Sequence, residues 1–341
     1  MTRPAVKCLV WDLDNTLWHG TLLEDPAVTI DPQAVAVVRE LDRRGILNSI
    51  ASRNEESLAL GVLREHGLDE YFLYPQINWN AKDVSVKAVA AALNVGIDTI
   101  AFVDDQEFDR AEVAFSLPEV RCYSPADLGS LLDLPDFYPP FVTPESAQRR
   151  LMYLADAART QEEAEFSGPK EEFLASLSMR FTISEAREED LQRAEELTVR
   201  TNQLNTTGRT YSYDELKAFA DSDAHLLLVA ELEDRHGTYG KIGLALVETG
   251  AEAWRLKLLL MSCRVMSRGV GTVMLNHVMR EAAAAGARLE AELVPNDRNR
   301  MMLITLRLGG FKERGREGET LILESTTAPP PPPGYLELIV R

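Results

Sequence analysis

Apolar positions follow two different rhythms along the 341-residue chain. Up to residue 135, short apolar runs alternate with stretches at helical spacing. Cys8 to Trp11 reads as a buried strand that runs into an acidic turn. From Pro32 to Arg44, Val35, Val38 and Leu41 mark one helical face, and Gly45 stands where a C-cap glycine belongs. Leu47 to Ala51 reads as a second strand, and Ser57 to His66 as a second helix closed by Gly67. Tyr71 to Tyr74 reads as a third strand, Val84 to Leu93 as a third helix and Ile100 to Val103 as a fourth strand. This alternation predicts an α/β domain with a doubly wound, Rossmann-like parallel sheet, whose ligands gather at the carboxyl ends of the strands.

The rhythm breaks at the proline-punctuated stretch from Leu134 to Pro144, and a charged helical connector follows over Ser146 to Glu165. Beyond it the pattern predicts an α+β domain with a mainly antiparallel sheet. A strand (Phe181 to Glu185) and a long helix (Glu188 to Thr201) precede three closely spaced strands: His225 to Leu232, Lys241 to Glu248 and Trp254 to Cys263. A glycine turn from Ser267 to Gly271 opens the helix Thr272 to Ala285. A strand (Arg288 to Val294), a helix (Asn299 to Leu308) and a strand (Thr320 to Glu324) complete the pattern. The expected division is therefore 1–135, a linker and connector over 136–178, a second domain over 179–325 and a tail over 326–341. The tail carries the proline run Pro329 to Pro333, which favours stiff polyproline II, and the short apolar end Tyr335 to Val340 is suited to adding a strand to a neighbour or to packing locally.

Composition narrows the class. A hydrophobic fraction of 45% and a charged fraction of 26% belong to a soluble globular protein. A formal charge of −18 argues against nucleic acid or an anionic membrane as partner. The start of the chain has no apolar signal core, and no later run is long enough to span a bilayer, so a cytoplasmic location is expected. Cys8, Cys122 and Cys263 are widely spaced, which fits a reducing compartment rather than a disulfide framework or a zinc cluster. Cys8 is read as core, and Cys122 as following a strand with no evident partner.

Candidate chemistry clusters at the ends of the predicted parallel strands. Asp12, Asp14 and Thr16 follow the first strand, Ser52 and Asn54 the second, and Asp104 and Asp105 the fourth, while Lys82 precedes the third helix. Phosphoryl transfer to a carboxylate needs an in-line nucleophile, a cation for the phosphoryl oxygens and an acid for the leaving group. Asp12 suits the nucleophile and Asp14 the acid. Asp12, Asp14 (through its carbonyl), Asp104 and Asp105 offer the oxygen-rich shell that Mg²⁺ prefers. Ser52 and Lys82 suit the phosphoryl oxygens. Each acidic pair taken singly is also an ordinary turn after a strand; the convergence of all four elements favours the site. The gaps between these motifs are too short for a separate cap domain, so the site is expected to be open.

In the second half, the glycine turn exposes backbone N–H groups at a helix N-terminus beside Arg268, an arrangement that binds anions or serves as a plain tight turn. With Asn296, Asn299 and the Gly310–Phe311 pair downstream, this half resembles the acyl-CoA N-acetyltransferase (GNAT) fold. Met266 stands where that fold usually has Gln or Arg, which suits the single phosphate of a phosphopantetheine arm as well as a CoA pyrophosphate. Cys263, ending the preceding strand, is placed either to accept an acyl group as a thioester or to act as a small apolar residue. The run Arg200 to Arg209, with Asn202 and Asn205, has the composition to grip a polyhydroxy or phosphorylated substrate, or is simply a polar loop.

Read together, Lys7 to Trp18 (with Trp11-Asp-Leu-Asp-Asn-Thr16), Ile50-Ala-Ser-Arg-Asn54, Ile77-Asn-Trp-Asn-Ala-Lys82, Phe102-Val-Asp-Asp105, Arg200-Thr-Asn-Gln-Leu-Asn205 and Met261-Ser-Cys-Arg264 resemble the FkbH-like family from about residue 5 to residue 325. The resemblance implies a haloacid dehalogenase-type (HAD) domain fused to a GNAT-like domain. It implies transfer of a D-glyceryl unit from 1,3-bisphosphoglycerate to the phosphopantetheine thiol of a holo-acyl carrier protein, with dephosphorylation, on the way to methoxymalonyl- or hydroxymalonyl-type polyketide extender units. Mg²⁺ is the implied cofactor. Asp12, Asp14, Ser52, Lys82, Asp104 and Asp105 match the phosphatase motifs. Thr16, Asn54, Arg200, Asn202 and Asn205 are candidates for substrate contact, and Arg264, Arg268, Gly269 and Gly271 for the carrier's pantetheine arm. Arg53 and Glu55 depart from the residues common in that family. Two competing readings are a carrier-binding module without turnover, and a small-molecule phosphatase fused to an acetyl-CoA-dependent N-acetyltransferase.

Overall fold

The computed structural model describes residues 4–139, 141–201 and 203–341. The chain divides into two compact units, Met1–Ala157 and Ala158–Arg341, and the division falls inside the connector helix.

The first unit is built on the elements β1 (Cys8–Trp11), β2 (Trp18–His19), β3 (Thr29–Ile30), α1 (Pro32–Arg43), β4 (Leu47–Ser52), α2 (Glu56–Glu65), β5 (Gln76–Ile77), α3 (Lys82–Ala92), β6 (Ile100–Val103), α4 (Glu107–Ser116) and β7 (Arg121–Tyr123). Its sheet is parallel, in the order β5-β4-β1-β6-β7. Strands β1, β4 and β6 are buried along their whole length because helices cover both faces. Two apolar clusters mark those faces: Leu9, Trp11 and Val38 belong to one, and Cys8, Val10 and Val86 to the other. Asp31 caps α1 by accepting from the Gln33 amide at 2.8 Å. Gly45 ends that helix at φ +72°, and a Cβ there would lie 2.6 Å from the Ser146 carbonyl, so only glycine fits the turn. Between β1 and β4 stand only the two-residue hairpin β2–β3 and α1, with no inserted cap domain.

Three expectations are corrected here. Tyr71–Tyr74 is not a strand: a 3₁₀ turn occupies Asp69–Tyr71, Phe72 makes one isolated bridge to Asn48, and the edge strand is β5. A run of aromatic residues gave the strand signal, but Phe72 and Leu73 are buried through a turn rather than a ladder. Cys122 lies within β7 rather than after it. Lys82 is the first residue of α3 rather than part of the preceding loop.

Short helices α5 (Leu128–Leu131) and α6 (Pro144–Ala147) lead to the connector α7 (Arg149–Glu165). The second unit adds α8 (Lys170–Ser176), β8 (Met179–Glu185), α9 (Glu188–Arg200), α10 (Tyr213–Ala220), β9 (His225–Asp234), β10 (Gly237–Glu248), β11 (Ala253–Met261), α11 (Val270–Ala284), β12 (Arg288–Leu293), α12 (Arg300–Leu308), β13 (Phe311–Glu317), β14 (Thr320–Ser325) and β15 (Leu336–Val340). Its eight-stranded sheet runs β13-β14-β12-β11-β10-β9-β8-β15. Pairing is antiparallel except for β11 with β12 and β8 with β15. The fold class is thus a doubly wound α/β unit without a large cap, followed by an α+β unit. Cluster residues such as Leu256, Leu259 and Val278 fill one face of the second sheet, and Leu197, Leu216, Leu246 and Leu260 the other. The apolar end of the chain, β15, pairs with β8 of its own unit.

Candidate active site

At the carboxyl end of the parallel sheet, β1 delivers Asp12, β4 delivers Ser52, β6 delivers Asp104 and Asp105, and the first turn of α3 delivers Lys82. The Lys82 ammonium lies 2.5 Å from Asp12 Oδ1 and 2.9 Å from Asp104 Oδ2, and donates to the Ala51 carbonyl at 2.9 Å. Asp12, Ser52, Lys82 and Asp104 are all buried. The Ser52 hydroxyl hydrogen-bonds to Asp12. Asp14 stands apart from this cluster: its Oδ1 accepts from Trp18 Nε1 at 2.7 Å and the Leu22 amide at 3.0 Å, and its Oδ2 from Asn54 Nδ2 at 3.0 Å.

The electrostatics suit a divalent cation. Carboxylate oxygens of Asp12, Asp104 and Asp105 lie within 4.8 Å of one another. Three carboxylates against the single Lys82 ammonium leave an excess of two negative charges when all are ionised. Burial and the neighbouring Asp12 charge push the Asp104 carboxyl up to about 7, against the pull of Lys82. Burial also raises Asp12, opposed by Lys82 and by the Ser52 hydrogen bond. Burial works against the Lys82 ammonium, but the Asp12 and Asp104 charges outweigh it and hold its pKa above the usual range. Hard oxygen donors, small separations and a charge deficit that a divalent ion would balance fit Mg²⁺. The side chain of Asp14 is not part of that set.

Several site residues do something other than touch substrate. Thr16 Oγ1 accepts from the Asp105 amide at 3.0 Å, tying the first motif to the loop after β6. Asn54 orients Asp14 and accepts from the Glu55 amide at 2.9 Å. The polar atoms of both side chains are thus engaged within the fold, so their expected substrate contacts are corrected to positioning roles. Arg53 faces α4, where it pairs with Asp109 at 2.9 Å and Glu112 at 3.4 Å. Sequence reasoning missed two supports. Trp18 donates to Asp14, and Arg110 donates to the carbonyls of Asp104 and Asp105 at 2.6 and 2.8 Å. Trp18 stands inside the first motif, but only the fold turns its indole N–H onto the Asp14 carboxylate; Arg110 lies outside every motif and reaches its two carbonyls only once the loop after β6 is closed.

In the second unit, β11 ends at Met261 and Cys263 opens a 3₁₀ turn over Cys263–Arg268, so Cys263 is exposed rather than at a strand end. Arg264 Nε donates to Ser262 Oγ at 3.4 Å. Gly269, at φ +75°, caps α11, and Gly271 lies in the helix's first turn. Together they line an apolar pocket with Leu204, Met261, Met266 and Met301. Arg268 is corrected: it is buried, pairs with Glu163 at 3.2 Å and lies over the Phe173 ring, so it is committed within the fold. Arg200 pairs with the buried Glu196 at 3.0 Å. Asn202 lies outside the described residues. Asn205 is fully buried; its Oδ1 accepts from the Thr207 and Gly208 amides at 3.1 and 2.8 Å, and its Nδ2 donates to the Thr201 and Arg209 carbonyls. The expected substrate grip by Asn205 is therefore corrected to a loop-forming role, since every polar atom of its side chain is used locally.

No protein-family model matches the sequence, and no curated protein matches it significantly. Solved structures similar to the chain include the N-terminal part of BF1531 from Bacteroides fragilis, containing a phosphatase domain and complexed with Mg. That match has 26% identity over 38% of this chain and 39% of that one, with a TM-score of 0.33. The ribosomal-protein-S18-alanine N-acetyltransferase of Escherichia coli matches at 16% identity, covering 42% of this chain and 92% of that one, with a TM-score of 0.35. The GNAT domain of PAT from S. lividans matches at 18% identity, covering 42% and 88%, with a TM-score of 0.34. Among the described residues, no helix is long and apolar enough to cross a membrane.

Proposed function

We propose that the first unit is a Mg²⁺-dependent phosphatase or phosphotransferase with an aspartate nucleophile, and that the whole chain moves a D-glyceryl unit from 1,3-bisphosphoglycerate to the phosphopantetheine thiol of an acyl carrier protein. The observation that carries the first part is the buried Asp12–Lys82–Asp104 cluster with Asp105 beside it. Asp12 attacks phosphorus, the bond to the leaving oxygen breaks, and Asp14 supplies the proton that oxygen needs. Water then attacks the aspartyl phosphate, and Asp12 is regenerated. Ser52 and Lys82 hold the phosphoryl oxygens. Asp12, Asp104 and Asp105 would hold Mg²⁺, which would neutralise charge on the phosphoryl group. Trp18, Leu22 and Asn54 keep the Asp14 carboxyl in one orientation.

The second part rests on the sequence motifs shared with the FkbH-like family and on the placement of Cys263. An exposed thiol one residue beyond Ser262, at the mouth of the 3₁₀ turn, is available to take the glyceryl group from the acyl phosphate and pass it to a carrier thiol. In that transfer the thiolate displaces phosphate from the carbonyl carbon, and the carrier thiolate later displaces Cys263. The apolar pocket lined by Met261, Met266 and Met301 suits the uncharged length of a pantetheine arm. The commitment of Arg268 to Glu163 counts against tight binding of a CoA pyrophosphate there.

The deciding experiment incubates the protein with holo-acyl carrier protein, Mg²⁺ and 1,3-bisphosphoglycerate generated in situ, and weighs the carrier by intact-protein mass spectrometry. A gain of one glyceryl unit supports the reading; no gain, with phosphate still released, leaves a phosphatase. Cys263→Ala is expected to stop loading while sparing phosphate release. Unchanged loading in that variant would send the acyl group directly from the acyl phosphate to the carrier.

A further inference from the structure

The last strand, β15, reads Leu-Glu-Leu-Ile-Val and is followed by Arg341. It pairs in parallel with β8, from Leu336 with Met179 to Val340 with Ile183, and forms one edge of the eight-stranded sheet. The Arg341 amide donates to the Ile183 carbonyl at 3.0 Å. Backbone groups alternate sides along a strand, so Glu337, Ile339 and Arg341 turn theirs toward β8, while Leu336, Leu338 and Val340 turn theirs away. The Leu336 amide is taken up by the Pro333 carbonyl at 3.4 Å. Among the described residues, the N–H and C=O of Leu338 and Val340 therefore form the open edge.

The two edges of this sheet differ. At the far edge, β13 carries a charged side chain at every position from Lys312 to Glu317 except Gly315, and its ladder with β14 shifts register between Glu313 and Gly315. Charge and a bulge both guard an edge against pairing with another chain. Strand β15 has neither guard along its centre. Its ladder runs without a shift, and Leu338, Ile339 and Val340 are consecutive apolar residues, the last 55% exposed. The flanking charges, Glu337 and Arg341, are both exposed and stand symmetrically about Ile339, two residues to either side. All three side chains lie on one face of the strand, where Glu337 also lies 3.4 Å from Arg180 of β8.

We propose that β15 pairs antiparallel with β15 of a second copy of this chain, about a two-fold axis at Ile339. Leu338 of each copy then exchanges its outward N–H and C=O bonds with Val340 of the other. Glu337 of each copy faces Arg341 of the other in a non-hydrogen-bonded pair, where facing side chains approach most closely. An axis at Leu338 or at Val340 would also let outward groups pair, but it would set Glu337 or Arg341 against Ile339. Charge thus selects the register. An edge complementary to itself in both backbone parity and charge fits a copy of the same chain, the isologous contact of a two-fold dimer. This surface lies wholly within the second unit and stands independently of the glyceryl transfer proposed above.

The test is sedimentation equilibrium of the full chain over about 1 to 200 μM, a range that reports micromolar association. A concentration-dependent rise toward twice the chain mass is expected. Val340→Pro removes an outward N–H and leaves the donors of the β8 ladder in place, so it is expected to abolish the dimer while hydrogen exchange shows β8 and β15 still protected. Glu337→Arg and Arg341→Glu each set like charges opposite one another at both symmetric positions, and each is expected to weaken dimerisation about tenfold. Mixed in equal amounts, these two variants regain an opposite-charge pair at both positions, and their heterodimer is expected to form about as tightly as the parent dimer. Both change exposed side chains, so they remain informative where the proline variant disturbs the fold. A monomer across the whole range would leave the edge to a strand of another protein and overturn the proposal. So would a dimer that Val340→Pro leaves intact, or a mixture of the charge variants that associates no more tightly than either alone.

Discussion

Replacing Lys82 with methionine keeps most of the aliphatic stem and removes the one cation between two buried carboxylates. Its ammonium sits 2.5 Å from Asp12 and 2.9 Å from Asp104. At an effective dielectric near 20, each contact of that length is worth roughly 6 kcal/mol before desolvation. The desolvation of three charged groups offsets most of this, and removing one member of such a buried set costs about 3–5 kcal/mol net. The variant should therefore lose about that much stability in the first unit at pH 8 in EDTA. Urea unfolding followed by fluorescence reports it, because Trp11 and Trp18 are buried there. The pH dependence has a definite sign. The folded-state carboxyl of Asp104, at about 7, lies above its unfolded value, so the folded protein holds the extra proton and stability falls as pH rises through that window. Without Lys82 that pKa climbs further, so the deficit is largest above pH 7 and shrinks toward pH 5. Adding Asp104→Asn to Lys82→Met should restore part of the loss, since the second change removes one stranded charge. Equal stability of Lys82→Met and the parent at pH 8 without Mg²⁺ would refute the ion-pair account of this site.

Asp12→Asn should abolish phosphate release, by a factor on the order of 10⁴ or more, with an unchanged circular dichroism spectrum; substantial turnover in that variant would remove the nucleophile assignment. Arg159 pairs with Asp234 at 2.7 Å, donates to the Gly237 carbonyl at 3.0 Å and lies over the Tyr239 ring, all within the second unit. Arg159→Ala should cost about 3–5 kcal/mol in denaturant titration, because it strands a buried carboxylate. A change below 1 kcal/mol would show that water reaches Asp234 freely. Asn205→Ala should destabilise the second unit by about 2–4 kcal/mol by leaving the Thr207 and Gly208 amides without their acceptor. Faster hydrogen exchange confined to residues 201–209 is the expected signature, and uniform protection would contradict it.

The alternation of strands and helices in the first half was legible because each buried strand is a continuous apolar run and each helix keeps a 3.6-residue stripe. Cys8–Trp11 and Ile100–Val103 match their predicted limits residue for residue. The convergence of Asp12, Ser52 and Asp104 was legible for the same reason: a parallel sheet sends every strand end to one edge. Tyr71–Tyr74 misled because a short aromatic run carries no information on whether its backbone pairs in a ladder or turns. In the second half the periodicity placed α9, β9, α11 and β12, but missed α10 and β13. Strand β13 buries little besides Phe311 and so has almost no alternating pattern to read.

What the sequence determined by itself was which residue types stand at which strand ends, and hence that carboxylates, a lysine and a serine share one edge of a sheet. Local spacing suffices for that, since the fold direction follows from apolar periodicity. Only the tertiary structure decided which polar side chains remain available. Arg268, Thr16, Asn54 and Asn205 look like ligand contacts in the sequence, yet each is drawn into bonds with residues distant in the chain or with a turn that packing closes. Glu292 looks like an ordinary solvent-facing strand residue, yet it is nearly fully buried and pairs with Lys257 at 2.7 Å and Arg209 at 3.4 Å. A side chain's freedom depends on its neighbours in space, and those are set by strand pairing, by the β-bulge that leaves Lys257 without a partner residue on β10 and by the Thr206 backbone bonding to both Leu259 and Val294, none of which has a local sequence signature.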